Sequence, residues 1–311
     1  MIWPSNKKFA FTVFDDTDRS TLDNAPQIYA FLNDLGFKTT KSVWPISGRG
    51  PALIPGDTCE NKQYLKWVLD IQKQGFEIGL HNATYRSSSR NETIRAFDEF
   101  KAMFGHDPYT LANHASNEEA MYWGRARLSG PQAVAYDVLR GFPPRDRFRG
   151  HIENDALFWG DICRDRVRYV RNFVFRNINT LLHCPTLPYH DPDRPFVKLW
   201  FASSEGATAD SFCDTIEEVH QESLEQQGGA CIMYTHFGKG FVEDGKLDPR
   251  FRDLMTKLAD RDGWFPTTVE LLDYLQEQQP EQTLARKDIA KMERRWLLDS
   301  ASRRIRGLLK K

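Results

Sequence analysis

The hydrophobic pattern along the chain alternates between two periods. Short apolar runs of strand length are each followed by a longer segment in which apolar residues recur every three or four positions. In residues 61–74, for example, Tyr64, Val68 and Ile71 share one helical face, and Gly75 stands where a helix would end. The pattern predicts strands over residues 8–14, 37–44, 76–80, 109–112, 197–201, 231–235 and 264–265. It predicts a first helix that starts within residues 23–26, and further helices over residues 61–74, 91–104, 209–226, 251–260 and 267–278.

This alternation predicts an α/β fold with a parallel sheet. Strands that alternate with helices form sheets whose two faces are both covered. Seven to eight strand candidates in 311 residues favour a closed or nearly closed β/α barrel over an open sheet. Residues 129–195 interrupt the pattern with two aromatic-rich pieces, 157–160 and 169–175. We expect a barrel over residues 1–279 and a helical tail over residues 280–311.

Composition and charge exclude several classes of protein. Hydrophobic residues make up 40% of the chain and charged residues 27%, which excludes a disordered or fibrous chain. A net charge of −1 argues against a nucleic-acid partner. The five cysteines show no CxxC spacing, as expected for reduced thiols. With no signal-like segment and no apolar run of about 18 residues, we expect a cytoplasmic protein.

The predicted tail has a different charge from the rest of the chain. Residues 286–311 contain ten basic and three acidic residues, a net +7. Apolar Ile289, Met292 and Trp296 recur at helical spacing, and Leu298, Ile305, Leu308 and Leu309 follow among basic residues. A basic amphipathic helix of this kind is suited to the inner face of an anionic membrane or to a partner protein. The alternative is a helix that packs one stripe of side chains on the barrel.

Candidate chemistry lies at the ends of the predicted strands. In a parallel barrel, catalytic residues gather at the carboxyl ends of the strands. Adjacent carboxylates there can divide two tasks, one binding a divalent metal and the other taking a proton from its water. Histidines from neighbouring strands are suitable metal ligands. The polar residues that follow predicted strands are Asp15, Asp16, His81, Asn113, His114 and His236.

Several of these positions lie in motifs that resemble those of the polysaccharide deacetylases. Residues 11–16 resemble the Thr-Phe-Asp-Asp first motif, and residues 75–82 resemble the Gly-x-Glu-Ile-Gly-x-His second motif. Residues 104–114, 232–236 and 263–272 fall where the third motif, the fifth motif and the closing strand and helix belong. The resemblance covers residues 8–275. It implies a distorted (β/α)7-type barrel, here with a C-terminal helical extension.

The resemblance also implies a role for four residues. Asp15 matches the catalytic base, Asp16 and His81 match metal ligands, and His236 matches the general acid. The expected cofactor is a divalent metal, with zinc as the first candidate.

One position departs from the family pattern. The second metal histidine should lie four residues after the first, where this chain has Tyr85. A neutral phenol is a poor zinc ligand. His114 ends the neighbouring predicted strand, and its position alone suggests that it completes the metal site with Asp16 and His81.

Candidates for substrate binding are spread over several segments. Polar-aromatic clusters at 159–161 and 189–191 could offer a ring face and a carboxylate to a sugar, although loop packing explains them equally well. The residues assigned to substrate contact are Asn113, Tyr85, Trp159, Asp161 and His190.

Two functions remain open from the sequence. The first is a metal-dependent hydrolase that removes an acetyl or formyl group from an amino sugar in an intracellular precursor of a surface polysaccharide or O-antigen. The substrate would then be an N-acylated sugar nucleotide or a lipid-linked sugar. The second is a catalytically degenerate barrel that binds a glycan precursor or organises an assembly complex. The position of Tyr85 keeps this second function open.

Overall fold

A parallel barrel of seven strands forms the centre of the protein. The computed structural model describes residues 2–279 and 282–309, the last seven of them as helical backbone only. In the barrel each strand pairs in parallel with the next, and β7 pairs with β1 to close the ring. This confirms the predicted closed β/α barrel. The barrel strands are β1 (Phe9–Asp15), β2 (Thr40–Val43), β3 (Glu77–Leu80), β4 (Thr110–Leu111), β5 (Tyr169–Phe175), β6 (Leu199–Glu205) and β7 (Ala230–Thr235).

β1 is the strand on which the barrel closes. It pairs with β7 over six positions, from Ala10 opposite Ala230 to Asp15 opposite Thr235. Its last two residues also pair with β2. Every residue of β1 is buried, as expected for a strand covered on both faces. Three short strands lie outside the ring: β8 (Val242–Glu243) and β9 (Lys246–Leu247) form a hairpin, and β10 (Gly263–Trp264) pairs with the start of β1.

Helices follow most of the strands. Several have the end signals that the sequence predicts: Ser89 forms a capping box with Glu92, and Gly105 ends the same helix in the left-handed conformation. The helix predicted over 209–226 is divided in two. The helices are α1 (Ala25–Asp34), α2 (Lys62–Lys73), α3 (Arg90–Phe104), α4 (Gly130–Arg140), α5 (Gly160–Arg166), α6 (Ala209–Thr215), α7 (Glu218–Gln227), α8 (Pro249–Ala259), α9 (Thr268–Gln278) and α10 (Arg286–Leu309).

The last helix packs on the barrel. Along α10, Ile289, Met292 and Trp296 are buried, and contacts run to α4 and β5. This part of the stripe predicted for a membrane or a partner therefore faces the protein's own core, whereas Leu298 is exposed. The side chains of Ile305, Leu308 and Leu309 lie outside the described residues, and the division of the chain at residue 280 stays a prediction. Within the described ranges, the protein has no helix of the length and hydropathy that a membrane crossing requires.

Candidate metal centre and active site

Four barrel strands deliver ionisable side chains to one cavity. His81 directly follows β3, and His236 directly follows β7. Asp18 lies three residues beyond β1, and His114 lies three residues beyond β4. All four line a cavity of about 380 Å³. The rule that parallel strands gather chemistry at their carboxyl ends therefore holds here.

Asp18, His81 and His114 form a compact buried cluster. One ligand atom from each lies within 4.8 Å of the others. Asp18 Oδ1 is 3.2 Å from His81 Nε2 and 3.5 Å from His114 Nε2. The structure thus brings together the two predicted histidines, but the carboxylate between them is that of Asp18. The predicted ligand Asp16 stands farther off, with Oδ2 3.9 Å from His81 Nε2.

Hydrogen bonds on the far side of each ring fix which nitrogen faces the cluster. His81 Nδ1 lies 3.0 Å from the carbonyl oxygen of Ala112, and since a carbonyl only accepts, Nδ1 carries the hydrogen. Asn117 uses its amide hydrogens on Thr84 and Glu119, so its Oδ1 accepts from His114 Nδ1 at 2.9 Å. Each Nε2 therefore faces Asp18 and is the nitrogen that a metal bound there would meet. Such outer hydrogen bonds are typical of metal-binding histidines.

His114 is kept in the neutral form that a metal ligand needs. Burial, followed by the nearby charge of His81, lowers its pKa below the ordinary value. Its Nε2 is buried and has no hydrogen-bond partner among the described residues. A lone pair that faces a carboxylate without a hydrogen between them is favourable only with a cation in place. The donor set of one carboxylate and two imidazoles suits a divalent ion such as zinc.

His236 stands beside this cluster on the β7 side. Its Nδ1 donates to the carbonyl oxygen of Ala207 at 2.8 Å, and its Nε2 lies 3.3 Å from the Tyr234 hydroxyl and 3.4 Å from Asp18 Oδ2. Burial acts to raise the pKa of Asp18, but hydrogen bonds from His236 and His81 outweigh it and lower that pKa. Asp18 is therefore ionised.

Asp16 also lines the cavity, where it is held by an arginine. Arg171, on β5, donates through both terminal nitrogens to the two oxygens of Asp16, at 2.8 and 2.5 Å. Both side chains are almost fully buried. Although burial acts to raise the pKa of Asp16, the charge of Arg171 lowers it. A bidentate pair of this kind fixes the orientation of the carboxylate as well as its charge.

Asp15, the predicted catalytic base, points elsewhere. Its oxygens receive hydrogen bonds from the Tyr29 hydroxyl at 3.1 Å and the Phe237 amide at 2.8 Å, and the Lys41 ammonium lies at 3.0 Å. The side chain is fully buried and is not part of the cavity wall. Successive side chains of a strand point to opposite faces, so Asp15 and Asp16 cannot both face the site.

Of the five residues predicted to contact substrate, the structure places one in the cavity wall and four outside it. Asn113 lines the cavity, with its amide bonded to the backbone of Met121. The other four lie outside the cavity wall for identifiable reasons. Tyr85 donates to the carbonyls of Gly48 and Gly50, Trp159 is buried with its indole donating to Glu119, Asp161 forms a bidentate pair with Arg90, and His190 bonds to the carbonyl of Lys198.

Asp18 is the functional candidate that sequence reasoning missed. It follows Asp16 at a spacing of two, beyond the predicted strand, where it reads as a turn residue. The available signal was a third carboxylate in the segment 15–18 after a buried strand. The cavity wall also includes residues that sequence reasoning did not assign to the site: Trp123, Arg127, Tyr136, Arg140 and Trp296.

Comparisons with known proteins bear on the fold. No protein-family model matches the chain, and no curated protein matches it either. The fold resembles that of a Mycobacterium smegmatis protein assigned as a polysaccharide deacetylase, with a TM-score of 0.52 and 13% identity over 92% of this chain and 96% of that one. The likeness establishes a barrel of the polysaccharide deacetylase kind, as predicted.

Two further solved structures are similar at a lower level. PuuE allantoinase matches with a TM-score of 0.49 and 11% identity, over 89% of this chain and 93% of that one. A protein of Pseudomonas aeruginosa PAO1 assigned as a polysaccharide deacetylase matches with a TM-score of 0.49 and 10% identity, over 90% and 95%.

Proposed function

We propose that this protein is a metal-dependent amide hydrolase that removes an N-acyl group from an amino sugar. The observation that carries the proposal is the cluster of Asp18, His81 and His114 in the cavity at the carboxyl ends of the barrel strands. A catalytic zinc site usually has three protein ligands and an open position, which this donor set supplies. A divalent ion held there would polarise the acyl carbonyl and lower the pKa of a bound water.

Asp16 is the best placed general base in this proposal. It lines the cavity, and the charge of Arg171 keeps it ionised against the effect of burial. A carboxylate has about four lone-pair sites, so the bidentate contact with Arg171 leaves others to accept the proton of the attacking water. Asp15 keeps a structural task, since Lys41 and Tyr29 already engage its carboxylate. The base is therefore moved by one residue from the position that the family resemblance implies.

His236 is the proposed general acid. Its Nδ1 is committed to the Ala207 carbonyl, so the proton it donates to the departing amine leaves from Nε2, the nitrogen that faces Asp18 and Tyr234. His236 does not belong to the compact ligand cluster. Replacing it by alanine should therefore lower turnover by about 10²–10⁴-fold, the usual range for a positioned acid–base group, while the protein keeps its metal.

The experiment combines metal analysis with a product assay. We expect near-stoichiometric zinc or another divalent metal in the purified protein, and release of acetate or formate from N-acylated sugar nucleotides or lipid-linked sugars of surface-polysaccharide or O-antigen precursors. Loss of metal in the His236→Ala variant would make His236 a ligand instead. A protein that binds these sugars but takes up no metal under any loading condition would favour the alternative of a degenerate glycan-binding barrel.

A further inference from the structure

A buried carboxyl group lies behind the metal cluster, and the chemistry proposed above does not use it. Glu119 follows His114 by five residues on the segment after β4, and only 1% of it is exposed. It is not part of the cavity wall. Its backbone carbonyl accepts a hydrogen bond from the Trp159 indole at 2.6 Å, which fixes the segment at this point. Because a buried carboxyl group is costly unless it is hydrogen-bonded, the partners of Glu119 indicate what it holds in place.

Three N–H groups of other residues converge on the carboxylate of Glu119. Oε1 accepts a hydrogen bond from the side-chain amide of Asn82 at 3.0 Å and another from that of Asn117 at 2.8 Å. Oε2 accepts from the backbone amide of Ser88 at 3.1 Å, directly before the start of α3. All three partners are donors, so Glu119 serves them as an acceptor. A single oxygen, Oε1, therefore holds two asparagine side chains.

Both asparagines turn their oxygens toward His114. Asn82 Oδ1 accepts from the backbone amide of His114 at 2.7 Å, and Asn117 Oδ1 accepts from ring Nδ1 at 2.9 Å. Asn117 gives its other amide hydrogen to the carbonyl oxygen of Thr84 at 2.9 Å. Since the nitrogens of both amides are engaged elsewhere, only their oxygens face His114. Glu119 thus orients two side chains that hold the backbone and the ring of this histidine.

The same hydrogen bonds connect His114 to the other histidine of the cluster. Asn82 directly follows His81 and has a φ of +56°, in the left-handed region that asparagine adopts more readily than most residues. Its side chain bridges Glu119 and the His114 backbone, so the segments after β3 and β4 are joined where they carry the two histidines. The relative position of the two imidazole rings therefore depends on one buried carboxyl group.

We propose that Glu119 is a positioning residue of the metal centre: through two asparagine side chains it holds His114 in the place and orientation that metal binding beside His81 requires. The proposal rests on the proposed function for the metal itself. Groups that lie behind metal-binding histidines orient the rings, and removing such a group typically lowers metal affinity about 10–100-fold. Glu119 acts on the metal only through its neighbours, so its loss should change metal affinity without removing a ligand.

Zinc titration of chelator-treated, full-length protein tests the proposal. Kd is measured by competition with a zinc-binding dye at pH 8, because burial raises the pKa of Glu119 to about 7 and the group is then mostly ionised. Glu119→Ala should weaken zinc binding about tenfold or more, since two buried amide groups lose their acceptor. Glu119→Gln should stay within about threefold of the wild type, because its one oxygen can still accept from both amides.

Glu77→Ala is the matched control. Glu77 is also a buried carboxyl group with three donors, which are the hydroxyls of Thr40 and Thr110 and the backbone amide of Val269. It begins β3, however, whereas His81 follows the other end of that strand. Its replacement should lower the free energy of unfolding in urea and leave the Kd for zinc unchanged. If Glu119→Ala fails to fold, Glu119→Met carries the test, because methionine fills the space and offers no acceptor oxygen.

Three results would overturn the proposal. They are unchanged zinc affinity in Glu119→Ala, an equal loss of affinity in Glu77→Ala, and a loss in Glu119→Gln as large as that in Glu119→Ala. The last would show that the charge sets the affinity, and not the hydrogen-bonded oxygen. The failure of the proposed function looks different. A wild type that takes up no metal removes the hydrolase and this proposal together, whereas a wild type that binds zinc and hydrolyses the amide, with an affinity indifferent to Glu119, removes this proposal alone.

Discussion

At the scale of single residues, the site depends on which carboxylate each positive group engages. Asp15, Asp16 and Asp18 lie within four positions of the chain, and each has different partners: Lys41 for Asp15, Arg171 for Asp16, and Lys239 together with the histidines for Asp18. Taking a charge out of water is costly unless it is paired. In the proposed function, these partners give side chains of identical chemistry three different tasks: structural support for Asp15, proton transfer for Asp16 and metal binding for Asp18.

Substituting Asp18 or Asp16 by asparagine separates metal binding from proton transfer. Asp18→Asn removes an anionic oxygen 3.2 Å from His81 Nε2, and we expect the variant to lose most of its bound metal and all activity. Asp16→Asn should keep its metal and lose about 10²-fold or more in turnover, because its amide cannot accept the proton. Metal content by atomic emission and a product assay measure both, and each variant is the control for the other. The reverse pattern, with metal lost from Asp16→Asn only, would restore Asp16 as the ligand.

At the scale of secondary-structure elements, the site residues that follow strands were easier to predict than the other residues of the cavity wall. β1 and β7 are mainly apolar, and β3 is a short run that ends in apolar Leu80, so the residues that follow these strands could be assigned to the active end of a barrel from sequence. β5 was predicted only as an aromatic-rich piece, since both faces of Tyr169–Phe175 are buried and no polar alternation marks it. Its Arg171 orients Asp16 through two hydrogen bonds, a contact between residues far apart in the chain.

α10 also joins the barrel through a buried carboxyl group. Glu293 is fully buried, and its Oε1 lies 3.8 Å from Arg194. Burial raises the pKa of Glu293 to about 7, against the opposing influence of Ser129 and Arg194. Ionisation of this group therefore opposes the docked position of α10.

Glu293→Gln should make the stability of the protein less dependent on pH. An acid whose pKa is raised by folding costs no stability below its unfolded value, near 4.5, and the cost grows until the pH passes the folded value, near 7. We expect the variant to match the wild type near pH 4.5 and to be more stable at pH 8, by about 1–3 kcal/mol. Urea unfolding at both pH values measures this. Glu277→Gln, an exposed position on α9, is the control, and equal gains at both pH values would contradict the explanation.

At the scale of the whole molecule, the barrel and the location of the site could be predicted from the sequence better than the roles of individual residues within the site. Alternating periods and strand-end residues were sufficient for the closed sheet and for His81, His114 and His236. Which of three nearby carboxylates faces the histidines depends on backbone direction beyond β1, and Trp296 reaches the cavity only because α10 folds back onto β5. Contacts between segments so distant in the chain leave no local pattern to read.

Metal binding should stabilise the whole barrel, because the three proposed ligands join the ends of β1, β3 and β4. A ligand that binds only the folded state stabilises it by about 2.7 kcal/mol at a free concentration of 100 times Kd. For a chain of 311 residues, that corresponds to a rise in Tm of roughly 4 °C when zinc is added to chelator-treated protein, measured by calorimetry. His114→Ala should abolish most of this rise, since its Nε2 then no longer faces Asp18. Tyr85→Phe should retain the full rise, because the Tyr85 hydroxyl donates to backbone carbonyls outside the cavity. If zinc raised the Tm of His114→Ala as much as that of the wild type, or if Tyr85→Phe lost the effect, the third ligand would not be His114.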